Sequence, residues 1–249
     1  MISDDAELAR NIADTAGRIL IELRHSRLFE GKALGAAGDR IASGFIMAAL
    51  KNHRPHDAVL SEEEKDGPER LRAARVWIVD PLDGTREYGE GRADWAVHVA
   101  LSVDGEPVLG AVALPALPLT LCSAHPPALP PLAVRPRMVV SRSRPAAEAL
   151  AVAKILDAEI VPMGSAGAKA MAVIRGEADI YLHTGGQYEW DSCAPAAVAL
   201  AAGLHVSRAD GAKLRYNNAD TYLPDLLICR KEYAAKVLRA LKESGTGRA

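Results

Sequence analysis

Two aspartates stand three positions apart at the end of an apolar stretch, in the run Val76–Tyr88 that reads V-W-I-V-D-P-L-D-G-T-R-E-Y. The leading apolar residues predict a short buried strand. Asp80 and Asp83 leave its end on a turn that Pro81 stiffens. Like charges so close raise one another's pKa unless a cation lies between them. Mg²⁺ is the natural candidate, because it takes one or two carboxylates together with waters and phosphate oxygens.

The residues that follow this pair suit a phosphate group. Asp83 is a favourable N-cap, and the backbone N–H groups of Gly84 and Thr85 would then be free at a helix N-terminus, where phosphate binds readily. The segment thus predicts metal ligands and a phosphate cradle together. A surface turn capped by Asp83 is the alternative, although the whole D-P-L-D-G-T run after an apolar strand favours the site.

Two other acidic segments could join this site. Ala58 to Leu60 predicts a strand that ends in Ser61 and the glutamates 62–64. If this strand neighbours the Asp80 strand, Glu62 lies beside Asp80 and Asp83, whereas one of Glu63 and Glu64 is expected to be solvated. Asp191 follows a Gly-Gly-Gln loop and Trp190, and it either caps a helix or belongs to the site.

The composition is that of a globular protein. The 249 residues are 49% hydrophobic and 25% charged, which allows one large domain or two packed ones. The net charge of −2 argues against a nucleic-acid polymer as partner. No apolar run approaches the ~20 residues that span a bilayer, and no signal peptide is visible, so we expect a cytoplasmic protein without a membrane partner. The three cysteines predict reduced thiols, neither a disulfide framework nor a zinc site.

The first half of the chain predicts two helices and a hairpin. One helix runs from Ser3 to about Leu28, and a second runs from near Asp39 to Asn52, with Asp39 as its N-cap. The Gly/Ala-rich stretch Gly31–Gly38 predicts a loop between them.

Alternating residues predict the hairpin, with strands Trp95–Val103 and Pro107–Leu114. His98 is expected to be a satisfied core residue of the first strand. Seven of the fifteen prolines fall in Pro115–Pro136. This shift in composition predicts a crossing between two halves, residues 1–132 and 133–249.

The second half alternates strands with helices, which indicates a layered α/β structure. The predicted strands are Arg137–Ser141, Glu159–Val161, Ala178–Leu182, Leu204–Ser207 and Leu226–Cys229. The predicted helices are Pro145–Leu156, Ser165–Ile174, Asp191–Ala202 and Lys231–Leu241.

Three separate segments match, in order, the pattern of a known family: Ser61-Glu62-Glu63, Asp80–Thr85 and Trp190-Asp191. With them the chain resembles the inositol-monophosphatase-like family of magnesium-dependent, lithium-sensitive phosphatases. Two short motifs favour the CysQ branch of this family, the 3′(2′),5′-bisphosphate nucleotidases. They are Glu87-Tyr88 and Glu189-Trp190-Asp191. The resemblance covers nearly the whole chain. It implies a mixed α/β (α+β) fold, a layered αβαβα sandwich, and a homodimer, since members are commonly dimers.

The resemblance also implies roles for individual residues. One Mg²⁺ would be held by Glu62, Asp80 and the carbonyl of Leu82, and a second by Asp80, Asp83 and Asp191. Glu62 and Thr85 would position the attacking water, with Asp83 as a further catalytic residue. Substrate contacts would come from Asp83, Gly84, Thr85, Ser165, Lys169 and Asp191. Asp39 and Glu63 could serve a third ion, although the threonine of the family's Thr-x-x-Asp segment is lost in Ala36-Ala37-Gly38-Asp39.

The implied reaction is hydrolysis of the 3′-phosphate of adenosine 3′,5′-bisphosphate, or of its sulfated relative PAPS, in sulfur assimilation. Such a substrate keeps a second phosphate, for which Lys169 is favoured over Arg208, Lys213 and Arg215. The alternative is the same two-metal chemistry on inositol phosphates or fructose 1,6-bisphosphate. A non-catalytic sensor of nucleotide or Mg²⁺ is a third hypothesis. It predicts the loss of a metal ligand, whereas all the expected acids are present.

Overall fold

The computed structural model describes residues 4–244. Within them the helices are α1 (Asp5–His25), α2 (Gly31–His53), α3 (Thr85–Gly89), α4 (Ala147–Ile155), α5 (Ala166–Ile174), α6 (Glu189–Ala201) and α7 (Lys231–Glu243), with a short 3-10 helix at Pro68–Arg72. The strands are β1 (Ala58–Ser61), β2 (Arg75–Asp83), β3 (Ala96–Val103), β4 (Glu106–Leu114), β5 (Leu119–Cys122), β6 (Arg137–Ser141), β7 (Glu159–Met163), β8 (Ile180–His183), β9 (Gln187–Tyr188), β10 (His205–Ser207), β11 (Tyr222–Leu223) and β12 (Leu226–Cys229).

The first sheet has the strand order β1-β2-β3-β4-β5. Its strands β1 and β2 are parallel, with Ser61 opposite Val79. The carboxyl ends of both strands therefore lie at the same end of the sheet. The other pairs are antiparallel. Residues that follow β1 therefore lie next to residues at the end of β2, which is the arrangement that the acidic segments require.

A second sheet has the order β10-β12-β8-β6-β7, and β9 pairs with β11 in a separate two-stranded sheet. Helices α1 and α2 cover one face of the first sheet, and α5 and α6 lie between the two large sheets. Helices α4 and α7 contact each other, and the core that they share includes side chains of β6, β8 and β12. The layers are thus αβαβα, and the predicted fold class is confirmed.

The predicted loop at Gly31–Gly38 was wrong, because these residues form the first two turns of α2. Their small side chains let the helix lie against the acidic segment. A Cβ on Gly35 would stand 2.7 Å from Thr85 Cγ2, and one on Gly38 would stand 2.9 Å from Leu82 Cδ2. Consequently Asp39 lies inside α2 and is not its N-cap.

The proline-rich crossing also differs from the prediction. Its first part contains β5, which pairs with β4 and completes the first sheet. The two-residue strands β9 and β11 were missed as well. The division into residues 1–132 and 133–249 stays a prediction.

Within residues 4–244, α2 is long and apolar enough to cross a membrane by length and composition. A buried helix of a soluble protein meets the same criterion, and α2 packs against α1, α3 and β2. The sequence shows no apolar run of that length, since Lys32, Asp39 and Arg40 interrupt this stretch. We interpret α2 as a helix of the core.

Candidate active site

The two aspartates of the apolar run both lie on β2, which continues through Pro81 to Asp83. An irregularity in the pairing with β3 falls between Asp80 and Asp83. The Oδ1 of Asp80 accepts a hydrogen bond from the backbone N of Leu82 at 3.0 Å. Asp80 is 1% exposed and Asp83 is 6% exposed, so both carboxylates are held in the interior.

Gly84, rather than Asp83, is the N-cap residue of α3. Its φ of +87° is a conformation that glycine adopts readily. A Cβ there would also stand 3.2 Å from Ser165 Cβ and 3.3 Å from Trp95 Cα. The prediction that Asp83 caps this helix was therefore wrong, and its carboxylate is free to point elsewhere.

The carboxylate of Asp83 instead accepts hydrogen bonds from the start of α5. Ser165 Oγ donates to it, the backbone N of Ala166 lies 3.1 Å from Oδ1, and that of Gly167 lies 2.6 Å from Oδ2. His98 Nε2 lies 3.2 Å from the same Oδ2. Burial alone would raise the pKa of Asp83, but His98, Lys169 and Ser165 outweigh it and lower the pKa to about 2.

Asp191 is the third residue of α6, and its Oδ2 accepts from the backbone N of Tyr188 at 2.7 Å. It also faces the β2 aspartates. Single carboxylate oxygens of Asp80, Asp83 and Asp191 all lie within 4.8 Å of one another. The prediction that α6 begins at Asp191 with this residue as its cap was wrong, since Tyr188 is the N-cap, although the Asp191 carboxylate still stabilises the start of α6. Asp191 joins the acidic cluster, and its role in a functional site stays a prediction.

Glu62 follows β1, and its backbone N donates to Val79 O at 3.4 Å. Glu62 is exposed at the rim of the cluster, but partial desolvation of its carboxylate and the charge of Asp191 raise its pKa to about 7, while a hydrogen bond with Asp80 opposes the rise. Burial and Asp83 raise the pKa of Asp191 to about 6. Burial, followed by Glu62, Asp83 and Asp191, raises the pKa of Asp80 well above its ordinary value.

Four carboxylates thus share one corner of the first sheet, and three of them resist ionisation there. A cation between them would remove the mutual repulsion, and carboxylate oxygens are the donors that Mg²⁺ prefers. The residues present therefore fit a divalent metal site.

Thr85 and Asp39 meet beside this cluster. Thr85 Oγ1 lies 3.2 Å from Asp39 Oδ1 and 3.1 Å from the carbonyl oxygen of Leu82. Burial and the charge of Glu63 raise the pKa of Asp39 to about 6. Glu63 and Glu64 are both exposed, and Glu64 accepts a hydrogen bond from Ser43 Oγ at 3.2 Å.

The sequence of the chain matches the profile of the inositol monophosphatase family over residues 3–126 and 133–246. The chain belongs to the inositol monophosphatase family. Enzymes of this family are metal-dependent phosphatases, which agrees with the acidic cluster.

Relatives and solved structures of the family were compared with the chain. A protein of Mycobacterium leprae named 3'-phosphoadenosine 5'-phosphate phosphatase is 47% identical, over 96% of this chain and 94% of that protein. The 3'(2'),5'-bisphosphate nucleotidase CysQ of Escherichia coli K12 is 31% identical, over 90% of this chain and 96% of that protein. The crystal structure of CysQ from Bacteroides thetaiotaomicron has a TM-score of 0.82 and 27% identity, and the match covers 91% of this chain and 97% of that one.

The four candidate cations that the sequence offers for a second phosphate differ in their surroundings. Lys169 is 6% exposed, and its Nζ donates to Ser165 O at 2.5 Å and lies 5.4 Å from the centre of the Tyr181 ring. Burial lowers its pKa, while Asp83 and Asp191 oppose that shift. The three other cations are Arg208, which pairs with Asp225 at 2.7 Å, Arg215, which pairs with Glu106 at 2.8 Å, and Lys213, which is exposed. Lys169 is thus the candidate whose charge is coupled to the acidic cluster.

Sequence reasoning missed the contacts of His98. The residue is fully buried, but besides Asp83 it contacts the carbonyl oxygen of Trp190 through Nδ1 at 3.0 Å. It therefore joins the β2 aspartate to the segment that carries Asp191. The pairing of His98 with Asp80 across β2 and β3 could have indicated this, had the register been known.

Sequence reasoning also missed a group of hydrogen-bonded polar residues that connects the segment after β1 to the start of α6. Arg70, 4% exposed, donates to Asp66, to Asn217 Oδ1 and to Asn218 O, at distances of 2.6 to 2.9 Å. Glu189, fully buried, accepts from the backbone N of Asn217 at 2.6 Å and from the backbone N and Nδ2 of Asn218. This bridge runs from the loop after Glu62 to the start of α6, and so to Asp191.

Proposed function

We propose that this protein is a Mg²⁺-dependent phosphatase that hydrolyses the 3′-phosphate of adenosine 3′,5′-bisphosphate to AMP and phosphate. The observation that carries the proposal is the acidic cluster of Asp80, Asp83 and Asp191, with Glu62 beside it. Relatives 47% and 50% identical to this chain are named for the same reaction class, which supports this choice of substrate.

The proposed ligand sets are those that the resemblance to the family implies, and the grouping of Asp80, Asp83 and Asp191 supports the second of them. Glu62, Asp80 and the carbonyl of Leu82 would hold one ion, and Asp80, Asp83 and Asp191 a second. Bound Mg²⁺ supplies charge neutralisation on the phosphate and a lower pKa for water. A third ion beside Asp39 and Glu63 is part of the proposal, because the charge of Glu63 already acts on Asp39.

The side chains around the cluster would orient the reactants. Thr85 Oγ1, placed between Asp39 and the carbonyl of Leu82, would hold the attacking water, and Glu62 would accept its proton. The backbone N–H groups of Gly84 and Thr85 would hold the phosphate. Ser165 Oγ would exchange its contact with Asp83 for one with the substrate, and Lys169 would face the second phosphate.

A comparison of substrates tests the proposal. Phosphate release from adenosine 3′,5′-bisphosphate, inositol 1-phosphate and fructose 1,6-bisphosphate would be measured with Mg²⁺ and with a chelator. We expect the highest kcat/KM for the nucleotide and no release with the chelator. Preference for either sugar phosphate would replace the substrate assignment. No release from any of them would leave the sensor hypothesis instead.

Other features of the resemblance remain proposals. They are inhibition by lithium, a homodimer, a cytoplasmic location, a role in sulfur assimilation and activity on PAPS. Light scattering would test the dimer directly, since it reports the mass of the particle in solution.

A further inference from the structure

Three aromatic side chains cluster next to the last acidic residue of the site. The rings of Tyr188 and Trp190 are stacked, with centroids 4.9 Å apart and planes inclined by 11°. Tyr222 meets the Tyr188 ring edge-on at 6.0 Å. We call these three residues the aromatic platform.

The exposure of the platform is unusual for this chain. Only 4% of its residues are aromatic, and Tyr88, Tyr181 and Tyr216 are buried, at most 3% exposed. Tyr188 and Tyr222 are each 47% exposed. Trp190 is partly buried against the core, and its ring stacks on that of Tyr188. Core packing therefore does not account for the two exposed rings.

The backbone fixes the platform to the acidic cluster. Tyr188 N donates to the Asp191 carboxylate at 2.7 Å, and Trp190 directly precedes Asp191. Tyr222 pairs with Tyr188 between β11 and β9. Its ring lies over Gly186, where a Cβ would stand 1.9 Å from the Tyr222 hydroxyl oxygen. The platform is thus joined to Asp191, one of the acids of the cluster, by a backbone hydrogen bond and by its position in the chain.

We propose that the aromatic platform binds the purine base of the substrate by stacking, with the exposed ring of Tyr188 as the main contact. This inference rests on the proposed function, because a nucleoside 3′-phosphate carries its base one ribose away from the reacting phosphorus. Stacking on an aromatic side chain accepts any flat base and is strong for a purine. The platform would therefore favour nucleotides over inositol or fructose phosphates, which have no ring to stack.

Kinetics on two substrates test the platform. Adenosine 3′,5′-bisphosphate would be compared with methyl ribofuranoside 3,5-bisphosphate, in which a methoxy group replaces the base. Tyr188→Ala should raise KM for the nucleotide by about 5- to 150-fold and leave the base-free substrate unchanged. Tyr188→Phe should restore most of the affinity, because the ring makes the contact. Tyr233→Ala, on α7, is the matched control.

A binding measurement makes the test independent of turnover. AMP would be titrated into the native protein and Tyr188→Ala in the presence of Mg²⁺, by calorimetry and by tryptophan fluorescence. Trp77 and Trp95 are fully buried, so a change in fluorescence that Trp190→Phe abolishes reports Trp190. We expect AMP to bind the variant more weakly by the factor found in KM.

Three results would overturn the inference: an unchanged KM for the nucleotide in Tyr188→Ala, a parallel loss on both substrates, or a change in oligomeric state alone. If the native protein released no phosphate from the nucleotide, the proposed function would fail. Equal AMP binding by the native protein and Tyr188→Ala would then reject the platform, and weaker binding by the variant would support it.

Discussion

A single carboxylate, that of Asp83, joins the two halves of the proposed site. It accepts from Ser165, Ala166 and Gly167 at the start of α5 and lies beside His98. Asp83→Asn keeps the size of the side chain and removes the charge that a cation needs. We expect turnover to fall by more than about a hundredfold, since even indirect partners of metal ligands contribute 10–100-fold. Phosphate release measures this effect, and circular dichroism should show an intact fold.

Asp94→Asn is the control for this variant. Asp94 also accepts from the loop before α5, through the backbone N of Gly164 at 2.6 Å, but pairs with Arg92 and lies outside the acidic cluster. Its replacement should leave activity within a few-fold of native. Near-normal turnover of Asp83→Asn would contradict the assignment of Asp83.

The contact between His98 and Gly167 allows a second prediction. A Cβ on Gly167 would stand 2.0 Å from His98 Nε2, in a fully buried place. Gly167→Ala should therefore destabilise the protein by about 1–3 kcal/mol, as overpacking does. In the double variant with His98→Ala the clash is gone, so the two free-energy changes should not add. Urea unfolding of the four proteins measures the coupling, and additive losses would show that the two residues act separately.

Between elements, the bridge from Arg70 through Asn217 and Asn218 to Glu189 ties the segment after β1 to the start of α6. Glu189→Ala removes the acceptor of three hydrogen bonds. Leaving such donors unpaired costs about 1–3 kcal/mol, and we expect this loss in the free energy of unfolding. Because α6 carries Asp191, the affinity for Mg²⁺ should also fall by about 10–100-fold.

Glu177→Ala serves as the control, because the Glu177 side chain is 51% exposed, pairs with the partly buried Arg175 and takes no part in the bridge. It should leave both quantities close to native. Calorimetric titration with Mg²⁺ gives the affinity without a substrate. Loss of stability without loss of Mg²⁺ affinity in Glu189→Ala would show that the bridge does not position Asp191.

The sequence predicted the helices and strands whose apolar pattern is regular. The predictions were wrong where tertiary contacts determine the local structure. The strand Leu226–Cys229 was predicted with the bounds that the structure has. Gly31–Gly38 was predicted as a loop because glycine disfavours an isolated helix. In the structure this part of α2 packs closely against Thr85 and Leu82, and that packing requires small residues. The strand β5 was hidden among prolines, which mark turns more strongly than four residues mark a strand.

The residues of the candidate site likewise fall into those that the sequence indicates and those that only tertiary contacts reveal. Glu62, Asp80, Asp83 and Asp191 could be chosen in advance because acids after strands are chemically conspicuous, and the structure brings them together. Their roles as ligands stay predictions. His98 could not be identified as a site residue, because the apolar sequence around it does not indicate that a carboxylate lies on the neighbouring strand. Asp83 was predicted as the cap of α3, whereas it accepts hydrogen bonds from the start of α5, and a contact so distant in sequence leaves no local pattern.

Across the whole molecule, the first sheet and the helices between the sheets both supply acids to one corner, so folding forces like charges together. The folded pKa values of Glu62 and Asp191 are about 7 and about 6, above their ordinary values of 4.5 and 3.8. The folded state then holds these protons more tightly than the unfolded state. Their stabilising effect is complete below about pH 4 and is lost as the pH rises to about 7.

Burial lowers the pKa of His183 and of His205, which act in the opposite direction. We expect the raised pKa values of Glu62, Asp80 and Asp191 to outweigh them, so that the metal-free protein is less stable at pH 8 than at pH 5. The pKa of His98 is raised from its ordinary 6.5, since Asp83 and Trp190 outweigh burial, and this shift has the same sign. Mg²⁺ relieves the repulsion only when the acids are ionised, so its addition should raise Tm more at pH 8 than at pH 5. Thermal unfolding with Mg²⁺ and with a chelator measures both differences. Asp191→Asn removes one of the charges and should reduce the pH dependence of the metal-free protein. If Tm of that protein instead rose from pH 5 to pH 8, the four carboxylates would not be crowded as the structure has them.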